Sequence, residues 1–312
     1  MNRLLAILVT AAMPLTGALA AEDIPAWAYP VNPPGAAAAQ KDDGTLIRVP
    51  DSSIAMTRTQ MAGRESVPDW HPEDHPEMPA IVKNGREGVR ACGYCHQPTG
   101  VGRPENASLV GLDEEYIKRQ VDNFRKGDRQ GAEPRRIPQN LMIGLSKNVT
   151  PEEVAIAAKY FASLKPKSFV KVVEADIAPK TIVTGGMLAM APEGGMEPIG
   201  SRIIEVPEDL ERAENRDSRT PFTAYVPKGS LAKGEGMVAG RGCAMCHGAG
   251  LTGIGDTPRL AGRSPSYLVR QLYDFKNGKR SGASAAPMRP IAADLSLDDM
   301  IAIASFLASK GE

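Results

Sequence analysis

Two stretches of the chain carry the same narrow apolar stripe. Val154, Ala157, Ala158, Phe161 and Leu164 recur at helical spacing, and so do Met300, Ile303, Ala304 and Leu307. Each stripe follows a helix-start signal. Thr150-Pro151-Glu152-Glu153 is a capping box with proline at the first helical position, and Ser296-Leu297-Asp298-Asp299 is a weaker version with Asp for Glu. Upstream, Ile117, Val121 and Phe124 predict one middle helix, and Leu268, Leu272 and Phe275 predict another. The stripes are small and apolar, suited to packing against another helix or a flat ring. The first twenty residues differ: one arginine, an apolar run broken by Pro14, then Ala-Leu-Ala ending at Ala20. That pattern predicts a cleaved export signal over 1–20, too short for a bilayer span of ~20 apolar residues.

The two helix pairs belong to an internal repeat. "YIKRQVDNFRKGDRQGA", from residue 116, aligns with "YLVRQLYDFKNGKRSGA", from residue 267, with eight of 17 positions identical. The offset is 151 residues there and 146 at the terminal helices, so the first copy holds five extra residues after Gly131.

The repeat also carries the chemistry. "RACGYCHQ" and "RGCAMCHG" place Cys92, Cys95 and His96, and Cys243, Cys246 and His247, at the 151-residue offset. All four cysteines of the chain fall in these two boxes. A disulfide inside C-x-x-C closes a loop too small to stabilise much, and a thioredoxin-like site needs a strand leading into it, which the glycine-rich surroundings lack. Structural zinc needs four ligands, and each box offers three at most. Covalent haem c suits the spacing: two thiols add to two vinyl groups and the adjacent histidine binds iron. Its attachment occurs on the export side of the membrane, so leader and motif agree. Two covalently bound haems also suit a chain with only 5% aromatic residues, because each supplies a large apolar surface to a core.

One methionine per copy falls at a matched position, Met142 and Met288, on what reads as a loop before the terminal helix. A thioether there is a candidate sixth ligand opposite the histidine and would raise the potential. The iron ligands expected are therefore His96 with Met142, and His247 with Met288.

Box, middle helix, methionine and alanine-rich terminal helix, in that order, resemble class I cytochrome c domains, and two in tandem resemble the dihaem cytochromes c of bacterial periplasms. The resemblance covers residues 79–166 and 229–312. It implies that a proline carbonyl after the box holds the axial imidazole through its other nitrogen. Pro258 stands at that place in the second copy, whereas the first has Ala107, which keeps a carbonyl but loses the rigidity. The fold expected is mainly α: two such domains, an irregular N-terminal extension over 21–78 and a long, partly β or irregular linker over 167–228.

These two remaining segments have no place in that pattern. The extension is proline-rich and ends in "PDWHPEDHPEMP", where Pro72 and Pro76 follow His71 and His75 and disfavour a helical metal pair. A solvated, proline-turned loop is expected; the alternative is a metal site or a replacement ligand for the first haem. Trp27 and Trp70 are expected to anchor the extension. In the linker, "FVKVVEAD", "KTIVTG" and "SRIIEVP" predict short strands, "EDLERAENRDSR" a solvated face, and Met187, Met190 and Met196 packing residues.

With the leader removed, 36 basic and 37 acidic residues leave a charge of −1, which excludes a strongly basic nucleic-acid surface. No later segment approaches a membrane span, and no Ser/His/Asp or paired-carboxylate arrangement stands out as catalytic. The function expected is periplasmic electron transfer, from a dehydrogenase to an oxidase, a reductase or another cytochrome. The rivals are a dihaem enzyme, peroxidase-like or sulfur-oxidising, with an exchangeable ligand at the first haem, and a cytochrome subunit of a dehydrogenase complex. Basic residues end both middle helices, Arg125, Lys126 and Arg129, and Lys276, Lys279 and Arg280. Their roles would be haem propionates, a partner or simple solubility.

Overall fold

A computed structural model of the chain describes residues 23–35, 41–63 and 66–311. The expected export signal lies outside them. Among the described residues, no helix is long and apolar enough to cross a membrane.

Each repeat folds as a helical unit. The first runs Ala80–Lys83, Cys92–His96, Glu114–Lys126, Ile137–Ser146 and Pro151–Ser163. The second runs Ser230–Gly240, Cys243–His247, Pro265–Lys276, Met288–Ala293 and Leu297–Ser309. The caps explain the boundaries. Asp113 accepts from the amides of Glu115 and Tyr116, and Gly127, at φ +81°, ends that helix in the left-handed conformation. Thr150 and Glu153 close a full capping box, and Ser296 with Asp299 closes one too.

The terminal helices sit at the centre of each unit. Val154, Ala157, Ala158 and Phe161 pack in the first core with Ile81, Val82 and Ile117. Met300, Ile301, Ile303, Phe306 and Leu307 pack in the second with Leu268, Val269 and Tyr273. Each large side chain so buried contributes about 2 kcal/mol. In the second unit the first helix crosses the last closely enough that a Cβ on Gly234 would overlap the Ala302 carbonyl. Small residues thus set the crossing distance.

The linker is a built insert. Val170–Ala175 pairs in parallel with Phe222–Pro227, whose other edge takes Ile204–Pro207 antiparallel. Two small antiparallel pairs, Ile177–Pro179 with Met196–Pro198 and Thr181–Thr184 with Met187–Met190, complete it. The three strand-like runs read from sequence are therefore strands.

The mixed-charge run departs from expectation. It forms a helix over Leu210–Glu214 and then buries Asn215 and Asp217. Of the three insert methionines only Met187 is buried; Met190 and Met196 are exposed. Their strands are short two-stranded ribbons, and alternation turns those side chains outward.

The extension is stapled to the insert. Trp70, buried, donates its indole N–H to the Asn215 carbonyl at 2.7 Å. His71 is buried, not solvated as expected of its loop. Its Nε2 lies 3.0 Å from Asp217 Oδ1, and Arg212 Nε donates to Asp217 Oδ2 at 2.7 Å. Further back, Tyr29 donates to Asp274 Oδ1 at 2.7 Å, deep in the second unit.

Candidate functional site

Cys92, Cys95 and His96 occupy one helical turn, which points all three side chains to one side. His96 Nδ1 lies 2.8 Å from the Ala107 carbonyl, which makes Nδ1 the protonated nitrogen and leaves Nε2 for a ligand. Burial, the largest influence, holds His96 below the ordinary imidazole range, so the ring is neutral and fit to ligate. His247 repeats this arrangement: Nδ1 is 2.8 Å from the Pro258 carbonyl, and burial again lowers its pKa. The contact at Ala107 is thus as short as its counterpart at Pro258. A backbone carbonyl does not depend on which side chain follows it, provided the loop keeps its path.

Cys92, Cys95 and Cys243 are not poised as redox or metal thiolates. Burial pushes Cys92 up to about 12 and also raises Cys95 and Cys243.

In the first unit Cys92, Cys95, His96 and Met142 line a single cavity of about 590 Å³, a volume suited to one large ligand. Leu112, Ile117, Val121, Phe124 and Phe161 make most of its wall apolar. Arg129, Arg136 and Arg270 add positive charge to the wall. Arg136 Nε is buried with no hydrogen-bond partner, and burial followed by the nearby Arg270 pulls the group down to about 9. An apolar cavity with two thiols, an imidazole and a thioether on its walls, and a guanidinium whose Nε–H is unpaired, fits an amphiphilic macrocycle bearing carboxylates. The haem pocket of a c-type protein needs that set.

Met142 does not sit on a loop. It lies inside the helix Ile137–Ser146. Pro138 starts that helix, and the five extra residues extend it to ten, against six for Met288–Ala293. Met288 is likewise helical, the first residue of its helix, and packs on Phe275, Ala285 and Ala292. Arg241 Nη1 reaches the Ile291 carbonyl at 3.4 Å, which sets the Met288 helix beside the second box.

His71 and His75 are turned to carboxylates, His71 to Asp217 and His75 Nε2 to Asp69 Oδ1 at 3.1 Å. Neither lines the cavity.

Sequence reading missed a polar hub between the units. Arg129 Nη1 donates to Gln120 at 2.9 Å and its Nη2 to Gln271 at 3.0 Å; Arg280 Nη2 donates to Gln120 at 2.9 Å. These four side chains, with Tyr116 and Tyr267, form three identical pairs of the repeat, which is the signal that would have found them. Arg263 adds a second tie, donating to the Ser108 and Val110 carbonyls at 2.6 and 2.8 Å. Of the basic helix ends, only Arg129 and Arg280 are buried; Arg125 instead caps the Ser146 and Val149 carbonyls, and Lys126 pairs with Asp122.

Comparison with known proteins places this geometry. Residues 231–310 match the family model described as Cytochrome c. Cytochrome c4 of Azotobacter vinelandii is 29% identical over 238 residues, covering 75% of this chain and 90% of that protein. The thiosulfate dehydrogenase electron acceptor of Thiomonas intermedia is 26% identical over 223 residues, 70% of this chain and 78% of that protein. Cytochrome c-554(548) of Halomonas halodenitrificans is 35% identical over 83 residues, 26% of this chain but 98% of that protein.

Proposed function

The chain belongs to the cytochrome c family as a dihaem class I member, and we propose that it carries electrons in the periplasm from a dehydrogenase to an oxidase, a reductase or another cytochrome. The observation that carries this reading is that Met142 and His96 line the same cavity while His71 and His75 are held elsewhere. A haem held there with both iron positions filled by protein side chains would pass electrons and leave no place for substrate.

Covalent haem c supplies one-electron redox chemistry at its iron. The chain does the rest. Cys92 and Cys95, and Cys243 and Cys246, are the attachment pairs. His96 and His247 are the proposed proximal ligands, each oriented by a carbonyl on Nδ1. Met142 and Met288 are the proposed distal ligands. Arg129, Arg136 and Arg270 offer charge to carboxylates at the cavity wall, and the apolar remainder excludes water, which sets the redox potential.

Two of the relatives support a dehydrogenase as donor, since both are named thiosulfate dehydrogenase electron acceptors. The test is a reductive titration of the purified protein followed by mixing with a thiosulfate dehydrogenase. Uptake of two electrons per chain, enzymatic reduction of both haems and no binding of carbon monoxide are expected. Carbon monoxide binding at either ferrous haem would favour the enzyme reading.

A further inference from the structure

The repeat gives two equivalent attachment boxes, but their surroundings differ. In the first, Gly93 is buried and Tyr94 is half-buried; in the second, Ala244 and Met245, at the same repeat positions, are exposed. The difference comes from the segments outside the repeat. Arg216, from the insert, donates Nη1 to the Tyr94 carbonyl at 3.0 Å and lies 3.9 Å over its ring. Arg90 also lies over that ring, at 4.2 Å. Gly63, from the extension, lies so close that a Cβ there would overlap Tyr94. Val67, also from the extension, packs against the first core and bonds through its amide to the Lys83 carbonyl at 2.8 Å. The extension and insert are themselves clamped together by Trp70 on Asn215 and Arg219 on Asp74.

Among the described residues, nothing comparable covers the second box. Met245 is 81% exposed, Ile254 58% and Ile291 38%. Ile254 abuts Gly248 at the end of the box helix, and Ile291 is tied to Arg241. Arg241 bonds to the Ile291 carbonyl, Arg289 shares the helix of Ile291, and neither forms an ion pair among the described residues. The result is an apolar patch with an unneutralised basic rim. The whole chain has a formal charge of zero, so long-range steering is weak and partner choice falls to local charges such as these.

We propose that electrons enter and leave through the second unit alone. A redox protein with an apolar centre and an acidic rim docks on Met245, Ile254 and Ile291, between Arg241 and Arg289. The extension and insert close the matching face of the first unit and reserve it for internal exchange. This rests on the electron-carrier reading.

The probe is cupric plastocyanin, an acidic one-electron acceptor, mixed with the fully reduced haem-loaded protein in a stopped-flow instrument. One electron passes from a ferrous haem to copper(II), giving copper(I) and a ferric haem, with no bond or proton exchanged. In 10 mM salt, Arg241→Glu/Arg289→Glu lowers the second-order rate at least about tenfold, and the loss fades as salt is added. Arg90→Glu, the same repeat position in the first unit, changes it less than about twofold. Oxidation by the small cation tris(phenanthroline)cobalt(III) stays at the wild-type rate or above in all variants, which checks that fold and haems are intact. An Arg90→Glu loss as large as that of the double reversal would overturn the proposal, and so would a double reversal without effect. The carrier reading fails differently: a reduced wild type that releases fewer than two electrons per chain sinks it before any variant is compared.

Discussion

Arg129 and Arg280 face each other across an antiparallel bridge, and each guanidinium donates to the glutamine on the other's middle helix. The two residues are 151 positions apart, the repeat offset, so the contact lies on a pseudo-twofold axis relating the two units. The amide of Gln130 on the Lys279 carbonyl at 2.7 Å and that of Ser281 on the Asp128 carbonyl at 2.8 Å extend the bridge on either side. Two like charges are buried together because the shared glutamine oxygens and the Tyr267 hydroxyl, 3.2 Å from Arg129, accept from them.

Arg280→Ala removes one half of that hub. The variant loses about 2 kcal/mol, the scale for a buried hydrogen bond to a charged group. It also uncouples the units, so that calorimetry resolves two transitions where the wild type shows one. A single transition at the wild-type temperature would show that the hub contributes nothing.

Met288→Ala leaves the haem attached and opens one iron. The second haem then binds carbon monoxide and its potential falls, because a thioether favours ferrous iron. Met142→Ala does the same to the first haem. A redox titration monitored by absorption checks both. Low-spin spectra and unchanged potentials would mean that a different side chain is the distal ligand.

Asp217→Asn attacks the clamp between extension and insert. Asp217 is buried and takes hydrogen bonds from His71, Arg212 and the Arg219 amide. Leaving Arg212 without its carboxylate costs about 3 kcal/mol. Limited proteolysis reports it as faster cleavage within the extension, with haem spectra unchanged.

Glu205→Gln tests a buried carboxyl at the insert boundary. Its Oε2 accepts from Ser264 at 2.7 Å and from the Ser266 hydroxyl at 2.5 Å, while Oε1 has no partner. Burial raises its pKa above the ordinary 4.5, against lowering by the serines and Arg270. The folded protein therefore holds a proton that the unfolded chain releases, and this group's stability contribution falls as pH rises from about 4.5 through the raised value. The glutamine variant is stabilised relative to wild type at pH 8, and less so at pH 4.5. Melting curves at the two pH values check this; an equal difference at both would refute it.

The repeat, the boxes and the helix caps were readable because each is a local code. A C-x-x-C-H turn, a capping box and a 3.6-residue apolar period all act within a few residues of themselves. Met142 was misplaced onto a loop because five inserted residues read the same whether they extend a helix or lengthen a turn. Pro138 at the helix start was the local clue. His71 and Asp217 were read as solvated because each stands in a polar run, and their partnership spans 146 residues of chain.

The sequence by itself determined that the chain is two copies of one helical, haem-binding unit, since thioether attachment and capping are decided by neighbours along the chain. Only the tertiary structure decided that the two copies are unequal. Burying Trp70, His71 and Asp217 together brings extension and insert over the first box and leaves Met245 of the second in solvent. Long-range burial of polar pairs is set by which surfaces meet in space, and periodicity along the chain carries no record of that.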